Sequence, residues 1–99
     1  MSKISRYLFM YCTNLVSIVI PNSVTIIEEG AFYAAYLSRI VIPHSVVLIG
    51  DDVFCKGGDY EGLQYIYYTG TKEQWNSIFI GRWNTSLDTA TIIHNYTCE

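Results

Sequence analysis

Two histidines, three cysteines and two pairs of adjacent carboxylates are the residues of this chain whose types could do chemistry. His44 follows a proline, at the slot that Asn22 fills 22 residues earlier, and a turn residue is the reading that outweighs a ligand. His94 stands four residues before Cys98 in a stretch that reads as a strand, where residues four apart face the same side, but no third ligand accompanies them. Cys12, Cys55 and Cys98 are odd in number and lack C-x-x-C spacing, which argues against a disulfide framework and a zinc site and leaves free thiols as the expectation. Glu28-Glu29 and Asp51-Asp52 fall at nearly the same phase of two similar segments, with Arg6 at the equivalent place before them. Oxygen ligands from adjacent segments would suit calcium, but a solvated turn that discourages aggregation outweighs that reading. No serine sits in a G-x-S-x-G elbow, and "KGGDYEG" lacks the Lys-Ser/Thr ending of a phosphate loop. The expectation is a protein that is not an enzyme and needs no cofactor or metal. Asn84-Thr85-Ser86 and Asn95-Tyr96-Thr97 match the glycosylation acceptor, a signal with meaning only in a eukaryotic surface protein.

The elements that position these residues come from a repeat. "SIVIPNSVTIIEEGAF", residues 17 to 32, returns as "RIVIPHSVVLIGDDVF", residues 39 to 54, and 39 minus 17 is 22. Aligned on the closing aromatic, Phe9, Phe32 and Phe54 correspond, each preceded five residues earlier by Ile4, Ile27 or Ile49. Leu15, Leu37 and Leu63 open the strands that follow, with Ile18 and Ile20, Ile40 and Ile42, and Ile66 and Tyr68 at alternating positions. A period of about 20–29 residues with L-x-x-I-x-I is the pattern of a leucine-rich repeat solenoid. Alternation turns the isoleucines inward, where successive coils stack them into one core. Pro21 and Pro43 cannot donate to a ladder and end each strand, Ser23 and Ser45 suit the turn, and "SVTII" and "SVVLI" read as a second short strand across the coil.

Composition agrees with a folded domain. An apolar fraction of 51% and a charged fraction of 15% exclude a disordered chain, and 99 residues suffice for one domain. Net charge is −3 with no run of Lys or Arg, so nucleic acid is not an expected partner. No stretch reaches the ~18 apolar residues of a membrane span, and "MSKISRYLFMYCTNL" lacks the hydrophobic core of a signal peptide.

These residues carry a family resemblance. "LVSIVIPNSVTIIEEGAFYAAYLSRIVIPHSVVLIGDDVF" resembles the BspA-like leucine-rich repeats of bacterial surface proteins, and "YIYYTGTKEQWNSIFIGRWNTSLDTATIIHNY", residues 65 to 96, resembles the segment that closes such arrays. The family often carries a Cys three residues before the strand leucine; Cys12 fits that slot, Ala34 replaces it in the second unit, and the third unit has the insertion "CKGGDYEG", residues 55 to 62. The resemblance implies a protein-binding module at the end of a cell-surface adhesion protein. The alternative is a small free-standing intracellular binder that occludes a larger partner. Cell surface is the expected location if the chain is a fragment, and cytoplasm if Met1 is its native start.

The expected fold is mostly β: one domain over 1–99, with a partial repeat at 1–14, repeats at 15–36 and 37–62, and a last rung with a C-terminal cap over 63–99. Thr71 followed by Gln74 is a capping-box pattern that predicts a short helix from Thr71, with Trp75 and Ile78 on one face to cover the last rung and Trp83 assisting. "TATIIHNY" reads as a final strand. The N-terminal rung has no such cover, which predicts either a homodimer through it or a longer parent protein. Opposite the inward isoleucines stand Ser17 and Val19, Arg39 and Val41, and Tyr65 and Tyr67, a compact outward panel expected to bind a protein partner, chiefly through the two tyrosines.

Overall fold

A computed structural model of the chain describes residues 2–54 and 62–97. Among these residues eight short strands alternate between two parallel sheets, so the chain climbs as a flattened coil. The first sheet contains β1 (Lys3–Ile4), β3 (Ile26–Ile27), β5 (Leu48–Ile49) and β7 (Phe79–Ile80), in that spatial order. The second contains β2 (Ser17–Val19), β4 (Arg39–Ile42), β6 (Tyr65–Tyr68) and β8 (Thr91–Ile93). The short helices α1 (Lys72–Asn76) and α2 (Ser86–Thr89) interrupt the last turns.

Each rung is built from the residues that the repeat singles out. Ile20, Ile40, Ile42, Ile66 and Tyr68 point into the space between the sheets, and Ile4, Ile27 and Ile49 meet them from the other side. Burying each such side chain stabilises by about 1.5–3 kcal/mol relative to leaving it in water. At the coil's edge Phe9, Phe32 and Phe54 form a column, with centroid separations of 5.2 Å and 5.8 Å and planes within 7°. Pro21 and Pro43 each accept a turn bond, from the N–H groups of Val24 and Val46. The Ser45 hydroxyl does not bond locally as expected; it donates across the rungs to the Val24 carbonyl at 2.7 Å.

The phenylalanine column also corrects the alignment around Cys12. The N–H of Cys12 donates to the Phe9 carbonyl as that of Ala35 does to the Phe32 carbonyl, so Ala35, not Ala34, is the counterpart of Cys12. Ala35 is buried and Cys12 packs against the same core as a free thiol. The following strand is reached through one residue fewer in the second unit. Backbone approach is close where the first sheet turns away: a Cβ on Gly50 would lie 2.8 Å from the Glu29 nitrogen, so the stack of turns admits only glycine there without displacement.

The capping box at Thr71 is present in full, the Gln74 N–H donating to the Thr71 hydroxyl and the Thr71 N–H to the Gln74 side chain. Trp75 turns inward and lays its ring edge-on to Tyr68 at 5.1 Å, with Ile78 buried beside it. Trp83 does not assist: it is 58% exposed. The cover over that corner comes from Asn84, which is 8% exposed. Its Oδ1 accepts the Phe54 N–H at 2.9 Å, and its Nδ2 donates to the carbonyls of Gly50 and Gly81 at 2.9 Å and 3.1 Å. In the first rung Phe9 donates instead to the backbone carbonyl of Ala31, so a side chain ends a ladder that the backbone had carried. The acceptor pattern at Asn84 therefore describes a buried structural amide.

Candidate binding site on the strand ladder

The outward face of the second sheet is ordered by register. Ser17, Arg39, Tyr65 and Thr91 form one row across the strands, and Val19, Val41, Tyr67 and Ile93 form the next. All six residues expected on the panel are thus on one face. Neighbouring strands lie about 4.8 Å apart, close enough for one ligand to span several rungs.

The six do not play equal parts. Tyr65 and Tyr67 stack at 6.2 Å with planes 22° apart. Beyond β8 the chain doubles back through Asn95, whose φ of 58° is left-handed, and the Tyr96 N–H donates to the Tyr68 carbonyl at 2.9 Å. That return places the Tyr96 ring 4.9 Å from Tyr67. A shallow concavity of about 300 Å³ results, lined by Ser17, Val19, Arg39, Val41, Tyr67 and Tyr96. Val41 is its floor, only 9% exposed, while Tyr65 stands outside it and supports Tyr67. Sequence reasoning missed Tyr96, because its place on the panel comes from a chain reversal and not from strand alternation.

Arg39 supplies the charge of this face. Its side chain is exposed, and among the described residues no carboxylate pairs with it. Near the N-terminus Lys3 approaches Glu28 and Arg6 approaches Glu29, both at 3.8 Å. The acidic pairs are therefore part of the turn's own bonding. The Arg82 N–H donates to Asp51 Oδ1 at 2.7 Å, and the Arg6 N–H to Glu28 at 3.3 Å. Among the described residues no group of three or more His, Cys, Asp or Glu is placed to hold a metal.

The histidines are separate from the panel. The Thr69 hydroxyl accepts the His44 N–H at 2.9 Å and meets its Nδ1 at the same distance, which holds the turn. His94 lies just past β8 rather than within a strand, edge-on to Tyr68 at 6.4 Å. Its proposed partner Cys98, like Cys55 and nearly all of the 55–62 insertion, falls outside the described residues. Burial raises the pKa of Tyr68 above 10.0 and keeps the phenol neutral in the core.

The model of a BspA type leucine-rich repeat region (6 copies) matches residues 2–97. The chain belongs to the BspA-type leucine-rich repeat family. No curated protein and no solved structure matches it. As a BspA-type repeat it is a protein–protein interaction scaffold of a generally non-enzymatic kind. No helix among the described residues is long and apolar enough to cross a membrane.

Proposed function

We propose that this BspA-type array is a non-enzymatic protein-binding module that docks its partner on the outward face of the second sheet, as the C-terminal end of a cell-surface adhesion protein. The observation that carries the reading is the concavity in which Arg39, with no carboxylate partner among the described residues, lies beside Tyr67 and Tyr96 above an apolar floor. Tyrosine and arginine bury large areas while keeping a polar end, and they dominate the energetics of protein interfaces. The surface location is supported by family membership alone. A free-standing intracellular binder is the alternative, supported by the free Cys12 thiol, which suits a reducing compartment.

The test is capture from host-cell surface extract and from lysate, comparing wild type with a Tyr65→Ser/Tyr67→Ser variant and with Arg39→Glu, all verified as folded by circular dichroism. A protein retained by wild type should be lost by both variants, since removing a central anchor costs about 2 kcal/mol or more, some 30-fold in affinity. Retention that ignores both substitutions refutes the site. Recovery of no partner at all would replace the binding reading with that of a structural spacer.

Self-association is a second reading with its own support. Among the described residues the first rung leaves one edge of β1 and of β2 unpaired and exposes Tyr7, Leu8, Met10, Tyr11 and Val16. An apolar rung with unpaired strand edges favours pairing with a second copy.

A further inference from the structure

The last turn carries a second concavity, of about 330 Å³, which shares no residue with the strand panel. Trp83 forms one wall, Ile80 and Leu87 supply apolar surface, and Thr85 and Asp88 stand at its polar side. How Trp83 comes to be there follows from the repeat. The N–H groups of Tyr7, Gly30 and Asp52 donate in turn to the carbonyls of Glu29, Asp51 and Arg82, so Tyr7, Gly30, Asp52 and Trp83 occupy equivalent places in successive turns. All four have left-handed φ values: 59°, 65°, 57° and 65°.

Glycine is the least strained residue at such a place and tryptophan is among the more strained. In the first turn the aromatic has packing to offset the strain, because the Tyr7 ring lies against Gly30 where a Cβ would otherwise stand. Among the described residues no strand pairs with β7 beyond β5, and more than half of Trp83 is in water. The polar groups around it are equally unspent. The Thr85 hydroxyl makes no capping bond to α2, and among the described residues Asp88 forms no ion pair.

We propose that this concavity is a binding site for a single pyranose ring of a neutral glycan. A pyranose has an apolar C–H face and a rim of hydroxyls. The flat indole takes the face, as aromatic residues serve where one side of a ligand is apolar and the other wet. The Asp88 carboxylate accepts from neighbouring hydroxyls, the stronger, charge-assisted kind of hydrogen bond, and Thr85 adds a donor or acceptor. The volume lies at the lower end of small-ligand sites, about 300–1,000 Å³, which suits one ring. An organic cation is the competing ligand for an indole beside a carboxylate. Quaternary ammonium groups are held by cages of several aromatics, and Trp83 is the one aromatic lining this concavity among the described residues.

The two tryptophans make the test direct, since Trp75 is 8% exposed and Trp83 58%. The protein is titrated with the methyl glycosides of glucose, galactose, mannose and N-acetylglucosamine, and in parallel with choline chloride, while indole N–H resonances and tryptophan fluorescence are recorded. At least one glycoside should saturate with a millimolar Kd and shift the exposed indole while leaving the buried one unmoved. Asp88→Asn should weaken binding about tenfold, and Trp83→Ala should abolish it, with an unchanged Trp75 signal confirming the fold. No saturable response to any glycoside, a response that survives Trp83→Ala, or saturation by choline alone overturns the proposal.

Discussion

Asn84 is the residue at which a single substitution should reveal how the array is closed. Replacing it by alanine removes three hydrogen bonds, one from the Phe54 N–H and two to the carbonyls of Gly50 and Gly81. Each is worth about 0.5–1.5 kcal/mol net, and the buried Phe54 N–H loses its acceptor, so the expected cost of Asn84→Ala is about 2–4 kcal/mol. A domain of this size has roughly 5–15 kcal/mol in total. The corresponding fall in Tm is about 8–32 °C, at ~4–8 °C per kcal/mol. Asn84→Asp sharpens the test through pH. Its second oxygen would face two carbonyl oxygens, which disfavours the ionised form in the fold and raises the folded-state pKa. The protonated side chain can still donate to one carbonyl. The aspartate variant should therefore approach wild type near pH 4 and lose stability as the pH rises from there towards 7. Urea unfolding followed by both circular dichroism and tryptophan fluorescence measures these differences and detects any loss of cooperativity along the array. Asn22→Ala, at an exposed turn, is the control and should stay within ~0.5 kcal/mol of wild type. An Asn84→Ala cost no larger than that control, or an Asn84→Asp variant whose deficit is the same at both pH values, refutes the argument.

Two further outcomes follow from groups at opposite ends of the burial scale. Tyr68, fully buried, has its pKa raised by desolvation, so its contribution to stability is complete below pH 10.0 and is lost as the pH climbs beyond that value; ultraviolet titration should find one tyrosine ionising last and together with unfolding, and a Tyr68→Phe variant that retains this late step would contradict the assignment. The open first rung should pair with a second copy: sedimentation velocity should show a dimer at high micromolar concentration that Leu8→Lys/Met10→Lys converts to monomer, whereas a wild-type monomer at all concentrations rules out that interface.

The parts legible in the sequence were those that the period itself dictates. Inward isoleucines, the column of phenylalanines and the strand-ending prolines each need only the alternation of a strand and the stacking of coils. Thr71 was readable because a capping box is a local bond between residues three apart. β7 was not anticipated, although Ile80-Gly81 repeats Ile49-Gly50, because α1 precedes it and moves it out of the 22-residue phase. Asn84 was read only as a glycosylation acceptor, since nothing local tells that its amide reaches Gly50 and Phe54, 34 and 30 residues away. On the panel, alternation placed all six expected residues together, but it could not anticipate Tyr96, which arrives by a reversal at a left-handed Asn95.

The spacing of the strands separates what this molecule must keep from what it is free to change. From β2 to β3 and from β4 to β5 the starts are nine residues apart (26 minus 17, and 48 minus 39), whereas from β6 to β7 they are fourteen (79 minus 65), the excess equalling the five residues of α1. Yet Leu48 meets Phe79 and Ile49 meets Ile80 in the same register as the shorter turns below them. Length added at a bend leaves the climb of the ladder unaltered. Such a scaffold behaves like a ruled page: the lines hold their spacing, and new text enters at the margin. Change in recognition can therefore accumulate by insertion at the bends, each one screened only for its own solubility, without the core being redesigned.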